Sequence, residues 1–407
     1  MKISAKRFKI GGDKVVWIVY ILLMLISLLE VYSSMGKAVY DKMGGDIAKM
    51  FLKHFGLLLA GLLITYIFHR IKYIHYSKYI KIAYGGSVVL LLFTLILGRL
   101  FGEGAARWIS LPGIGQFQPS EIVKYVLVLY IANELSLLKD GIKERKNFYK
   151  LIAKMAVVCL LIFPENFSTS ALVFLGCYVM IIIAGAKFRD YIMIVPVGLF
   201  LCLSVLGLYK VNPDILERSG TWYSRVNLWL NSDREEITQP NTATMAIATG
   251  GLLGKGIGNT TQGRFLSESH NDFIFAIILE EGGIIFGIVV AGLFFVLFYR
   301  SLKISRNARG LFGRYASVGI GFMIVFQALV NMMVATGLLP VTGQTLPFIS
   351  YGGTSLLVSS AALGIMLNIS VESAKSQDGE TERRSEEMKL EDNSVKSEDN
   401  NGELKQE

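Results

Sequence analysis

Residues 264–283, RFLSESHNDFIFAIILEEGG, turn abruptly from a polar run into an apolar helix. Glu268, His270 and Asp272 crowd the last residues before the helix, and Glu280 and Glu281 recur two turns inside it. At ~1.5 Å of rise per residue, a straight helix carries those glutamates about 12 Å deeper than Asp272. Charge that deep in an apolar segment is costly. Where ionisable groups are held inside a membrane they face a protein-lined cavity and mark substrate or ion pathways. A plainer role also fits, with Asn271 or Asp272 as the N-cap of the helix, and the two roles are compatible.

The rest of the chain has the same apolar character. Hydrophobic residues make up 52% of the 407 residues, and the mean hydropathy is +0.48. A membrane span needs about 20 apolar residues. Runs starting near Val15, Phe55, Ile82, Ile122, Met155, Ser170, Tyr191, Phe273, Gly319 and Leu356 therefore predict an all-α polytopic membrane protein of about ten helices. Cys159, Cys177 and Cys202 fall within apolar runs and read as small core residues. The first run lacks a small-residue cleavage site and reads as a retained span.

The net charge of +9 conceals two opposed parts. Residues 371–407 hold 6 Lys/Arg against 12 Asp/Glu, and the remaining chain holds 35 against 20, a net of +15. That excess suits an anionic membrane surface or anionic lipid substrates. Nucleic acid is excluded as a partner, because there is no basic, aromatic-studded soluble domain. The acidic tail, nearly devoid of aromatics, reads as disordered.

Lys2, Lys6, Arg7, Lys9 and Lys14 precede the first span, which places the N-terminus in the cytoplasm. Counting spans then puts residues 1–14 and the tail inside, around a transmembrane domain of residues 15–370. The outer loops become 33–53, 98–117, 164–169, 210–271 and 337–354. Lys37, Lys42, Lys49 and Lys53 in the first are the one discord with the charge rule. The fourth loop, between helices 7 and 8, is the longest, and loops of about sixty residues are usually functional. Within it, Trp222, Tyr223 and Trp229 read as interfacial anchors. Its glycine run at 250–258 lacks the Lys-Ser/Thr pair of a phosphate loop, so close backbone approach is the better reason for the glycines. In the second loop, Pro119, Ser120 and Glu121 open a helix on which Glu121 and Lys124 share a face, either as a pair or as a capping box with a snorkelling lysine. Residues 337–355 carry too many helix breakers for a continuous helix and are expected to line a cavity as irregular backbone.

Three blocks, in this order, carry a resemblance: Arg107-Trp108-Ile109 leading to QPSEIVK at 118–124, SESHNDFIFAIILEEGG at 267–283, and residues 337–355. Together they resemble the SEDS family (shape, elongation, division and sporulation) over about residues 15–370. The resemblance implies a ten-helix membrane enzyme of the bacterial inner membrane that polymerises lipid II into peptidoglycan glycan strands on the outer face. It also implies partnership with a class B penicillin-binding protein and other division proteins. Val31-Tyr32-Ser33-Ser34 and Gln344-Thr345-Leu346-Pro347 lean towards the division and sporulation branch, hence the septum, rather than the rod-shape branch.

The same resemblance makes Asp272 the catalytic residue, as the aspartate of a His-Thr-Asp-Phe-Ile motif with Asn271 in place of threonine. Glu121 and Lys124 match central-cavity residues, and Gln239 matches a glutamine of the large outer loop. Ser350, Tyr351 and Gly352 fall in the last conserved-order block as substrate contacts. Two segments depart from the pattern: Gly104-Ala105-Ala106-Arg107-Trp108 lacks one arginine, and Glu165-Asn166-Phe167-Ser168-Thr169 lacks an aspartate.

Glycan polymerisation from a polyprenyl pyrophosphate donor needs one base for the acceptor hydroxyl and cations for the leaving pyrophosphate. Asp272 fits the base, with His270 placed to orient it. Arg107, Lys124 and Arg264 are the expected cations, and Glu280 and Glu281 the expected deep polar lining. Asp272 also fits a divalent-cation ligand, Mg²⁺ or Mn²⁺, bridging to phosphate. Two rival readings share these residues: a lipid II flippase and a non-catalytic division scaffold.

Overall fold

A computed structural model describes residues 11–34, 47–101, 108–111, 115–194, 196, 219–231, 238–266 and 269–374. The chain is almost wholly helical. In order it forms α1 (Lys14–Ser34), α2 (Ile47–Arg70), α3 (Tyr73–Phe101), α4 (Pro119–Leu138), α5 (Arg145–Ile162), α6 (Phe167–Ile183), the single-turn α7 (Phe188–Ile192), α8 (Ser219–Asn231), α9 (Gln239–Gly250), α10 (Ile274–Asn307), α11 (Leu311–Ala335) and α12 (Gly353–Ala374). A small antiparallel hairpin, β1 (Ile109–Leu111) with β2 (Gly115–Phe117), precedes α4.

Six of these helices, α1, α2, α3, α10, α11 and α12, are long and apolar enough to cross a membrane, and α6 is a shorter apolar helix. The span expected near Tyr191 falls mostly outside the described residues, as do most of the acidic tail and Cys202. Cys159 and Cys177 are buried free thiols, as their apolar runs require.

Burial sorts the helices. In α11, 78% of the most apolar window is buried, against 22% in α2 and in α3, so α11 is central and the other two face lipid. α11 packs on α10, α4 and α6, and α10 packs also on α1 and α9. The antiparallel pair α1/α10 is pinned at both ends. At one end Asp13 Oδ1 caps α1 by accepting from Val15 N at 2.9 Å while Arg300 Nε donates to its other oxygen at 2.8 Å. At the other end the Ser33 hydroxyl donates to the Glu281 carboxylate.

The helix after Asp272 runs through Glu280 and Glu281 and breaks just beyond them at Gly283, which has φ +71°. A break inside a membrane helix exposes backbone groups that water cannot satisfy. Here the loop after α9 satisfies them. Lys255 N donates to Glu280 O at 3.0 Å and Gly256 N to Glu281 O at 2.9 Å, while Ile284 N and Ile285 N donate to Gly251 O and Leu252 O at 3.0 and 3.3 Å. The loop thus takes over the bonds that one turn of helix has given up. A Cβ added at Gly254 would lie 2.1 Å from Glu281 O, and one at Gly250 2.1 Å from Leu279 O, so glycine is required by close approach, as the sequence suggested.

Candidate functional site

The segment His270–Asn271–Asp272 is held by its backbone. Tyr351 N donates to His270 O at 2.9 Å, Ser350 Oγ to Asn271 O at 2.7 Å, and Asn331 Nδ2 to Asp272 O at 2.9 Å. Three consecutive carbonyls are therefore fixed by the last outer loop and by α11. The boundary residue of α10 is Phe273, one residue after Asp272.

The last outer loop is irregular, as its breakers required, and its course is set by α11. Asn331 Nδ2 also donates to Gln344 O at 2.7 Å, and Gln327 Nε2 to Thr345 O at 2.9 Å. Gln344 Nε2 reaches Thr169 at 2.8 Å. Phe348 turns the chain with φ +64° and buries its ring against Tyr20. A bulky residue in the left-handed region is strained and persists where surrounding packing over-determines it. Ser350 Oγ also accepts from Leu346 N at 2.8 Å, and Gly352 N closes a turn on Ser350 O. The Tyr351 ring lies 5.4 Å from the His54 ring and 5.8 Å from the His270 ring, and burial pushes its hydroxyl pKa up.

Asp272 is half-buried and faces Arg225 across Gly343. A Cβ at Gly343, where φ is +70°, would lie 3.6 Å from Asp272 Oδ2 and 4.0 Å from Arg225 Nη1. Arg225 Nη1 donates to Val341 O at 3.2 Å, and Trp229 Nε1, one turn on, donates to Gly337 O at 2.9 Å. Trp222 stacks by its edge on Phe163 and Phe167. The face of α8 bearing positions 222, 225 and 229 therefore docks on the loop, and the tryptophans that read as headgroup anchors fix Arg225 there. A cavity of about 290 Å³ opens beside Arg225 between α6, α8, α11 and residues 339–342. Its lining, including Phe167, Leu172, Trp222, Phe326 and Val330, is apolar, with Arg225 its one charged residue.

Arg225 was not among the cations read from the sequence. Its signal was its position three residues after Trp222 and four before Trp229, on one helical face. Of the expected cations, Arg107 lies outside the described residues, and Arg264 ends a single 3-10 turn with its side chain outside them. Glu268 is likewise outside. Lys124 does pair with Glu121, at 2.8 Å, and both are buried. Its ammonium also donates to Gln327 Oε1 at 2.6 Å, so the pair braces α11 beneath the last loop rather than facing solvent. Gln239 opens α9 and is exposed.

Glu280 and Glu281 are occupied by the loop that repairs the helix break. Glu280 accepts from Lys255 Nζ at 2.6 Å, Thr260 Oγ1 at 2.6 Å, Thr261 N at 3.0 Å and Thr261 Oγ1 at 2.7 Å. Glu281 accepts from Gly258 N at 3.0 Å and Thr260 N at 3.2 Å, besides Ser33. Both glutamates are buried and fix residues 255–262 to α10. Among the described residues no group of three or more His, Cys, Asp or Glu is arranged to hold a metal.

Comparison with known proteins places the chain in a family. Residues 13–375 match the family model of FtsW, RodA and SpoVE, described as cell cycle protein. The chain is 32% identical to the probable peptidoglycan glycosyltransferase FtsW of Coxiella burnetii, over 90% of this chain and 99% of that one. It is 33% identical to stage V sporulation protein E of Bacillus subtilis, over 89% and 98%. Among solved structures it resembles a chain from a study of polymerization and crosslinking by a peptidoglycan synthase complex, with TM-score 0.68, 26% identity and coverage of 89% and 99%. It shares its fold with the rod shape determining protein RodA of Thermus thermophilus, with TM-score 0.63, 24% identity and coverage of 89% and 97%.

Proposed function

The chain belongs to the FtsW/RodA/SpoVE cell cycle protein family, and on that premise we propose that it is a peptidoglycan glycosyltransferase that polymerises lipid II during septal wall synthesis. The observation that carries this reading is the half-buried Asp272, on a segment held at three successive carbonyls, facing across Gly343 the Arg225 that lines an apolar cavity. Asp272 takes the proton of the acceptor sugar hydroxyl as its oxygen bonds to the anomeric carbon of the donor. The bond from that carbon to the pyrophosphate oxygen breaks, and the pyrophosphate leaves as an anion. Arg225 supplies a fixed positive charge for that anion, the kind of stabilisation that contributes most when donors are held in place beforehand. Ser350, Tyr351 and Asn331 hold Asp272 at the height where this exchange takes place.

A divalent cation, were one used, would be held by the Asp272 carboxylate and would supply positive charge for the leaving pyrophosphate. Loss of activity on chelation and its return with Mg²⁺ or Mn²⁺ would assign that role. In cells the working unit pairs this chain with a class B penicillin-binding protein, which the synthase-complex likeness supports. It lies in the inner membrane at the septum, with both termini cytoplasmic.

The test is glycan-strand formation from purified lipid II by the full chain reconstituted with its class B synthase, against Asp272→Ala at equal folded amounts. Strands from the wild type alone are expected. Equal activity from both would remove Asp272 from the chemistry. Absence of strands from either, with lipid II crossing vesicle membranes, would make the protein a flippase.

A further inference from the structure

The loop that repairs the helix break carries exposed apolar side chains. Leu252 and Leu253 are 67% and 80% exposed, and Ile257 is 58% exposed. A loop in water does not gather such residues without a partner surface. The one charged side chain between Gly250 and Gly258, Lys255, is turned inward onto Glu280, Thr249 and Thr261.

The height of this loop follows from the two pins between α1 and α10. From Asp13 to Ser33 along the unbroken α1, a helical rise of ~1.5 Å per residue gives about 30 Å. That is the thickness of a bilayer hydrocarbon core. The Ser33–Glu281 contact therefore marks one edge of the core, as Asp13–Arg300 marks the other. Gly251 and Leu252 bond to Ile284 and Ile285, which lie on the inner side of the Ser33–Glu281 edge. The exposed Ile284, Ile285, Ile288 and Val289 of α10 continue the same apolar surface into the membrane span.

We propose that residues 251–257 form a re-entrant loop whose tip, Leu252 and Leu253, is seated among the acyl chains of the outer part of the bilayer. Lipid is the occupant because the exposed surface is continuous with the lipid face of a spanning helix, and because Gly251, Leu252, Lys255 and Gly256 give their backbone bonds to α10 rather than to water. The proposal rests on the membrane fold and not on the polymerase reading. In consequence, the loop that the sequence places wholly outside the membrane dips into it and fixes the depth of α10 below Asp272.

The experiment uses the full chain with Cys159, Cys177 and Cys202 replaced by alanine, reconstituted in phosphatidylethanolamine/phosphatidylglycerol vesicles. A bimane fluorophore is attached at Leu253→Cys, or for reference at Thr244→Cys on the exposed part of α9. Quenching by doxyl-labelled lipid is compared with quenching by aqueous iodide. The probe at 253 is expected to emit to the blue of the one at 244, to lose most of its signal to doxyl lipid and to be shielded from iodide. Iodide quenching at 253 equal to that at 244 would place the loop in water and overturn the proposal. Shielding from both quenchers would mean a protein surface covers it, and would overturn lipid contact equally. Ile257→Cys provides an independent label should the variant at 253 fail to elute as the wild type does.

Discussion

Two acidic sites lie on one stretch of chain, and both are held through their backbone carbonyls. At residues 270–272 the neighbours grip the backbone carbonyls, through Tyr351, Ser350 and Asn331. At Glu280 and Glu281 they grip the carbonyls, through Lys255 N and Gly256 N, and the carboxylates too, through Lys255 Nζ, Thr260, Thr261 and Gly258. Holding the backbone fixes the position of a carboxylate for chemistry at its oxygens. Holding the carboxylate itself makes it a structural clamp.

The comparison can be broken or sharpened by substitution. The largest effect is expected from Asp272→Asn, which removes a base while keeping size and backbone contacts. Polymerisation of lipid II should fall by about 10²–10⁴-fold, with an unchanged thermal midpoint in detergent. Next is Arg225→Ala, which should reduce the same activity by about 10²–10³-fold, with partial recovery in Arg225→Lys because charge returns without the guanidinium fork. Glu280→Ala should act on stability instead. It leaves Lys255 and the N–H groups of Thr261 and Gln262 without their acceptor, at a cost of about 2–3 kcal/mol read as a lower thermal midpoint. Its activity per folded molecule should stay far above that of Asp272→Asn. An Asp272-like loss of activity in a fully folded Glu280→Ala protein would collapse the distinction. The smallest effect is expected at Gly343→Ala, where a left-handed backbone costs about 1–2 kcal/mol for an L residue. The added methyl would lie between Asp272 and Arg225, so activity should fall more than stability.

Much of this was legible in the sequence. Apolar length gave the membrane helices, because a span must satisfy its own backbone and cover itself with apolar side chains. The abrupt polarity change at Asp272 marked the segment that Tyr351, Ser350 and Asn331 hold, and the breakers in residues 337–355 announced an irregular loop against it. Glu121 and Lys124, three apart, do pair, since one helix face brought them together. The break at Gly283 was not legible, because hydropathy weighs side chains and the break is a matter of which backbone groups find partners. The Gly282-Gly283 pair was its one local trace. For the same reason Glu280 and Glu281 read as a polar path: their donors lie some twenty residues earlier, beyond any helical periodicity. Arg225 stayed hidden because its meaning depends on the docking of α8 against residues 337–343, a contact between segments more than a hundred residues apart.

The bonds between residues 251–256 and 280–285 also set a rule for how this chain can change length. Surface loops usually absorb insertions and deletions, since nothing counts their residues. Here every rung pairs a particular loop residue with a particular helix residue, from Gly251 with Ile284 to Lys255 with Glu280. One residue added or lost between Gly251 and Gly256 would shift the rungs, move Gly254 away from its contact with Glu281 and bring a side chain to a place with no room for one. Chimaeras that exchange the large outer loop between relatives should therefore work when the junctions leave both partners of the ladder in one parent, and fail when a junction falls between them.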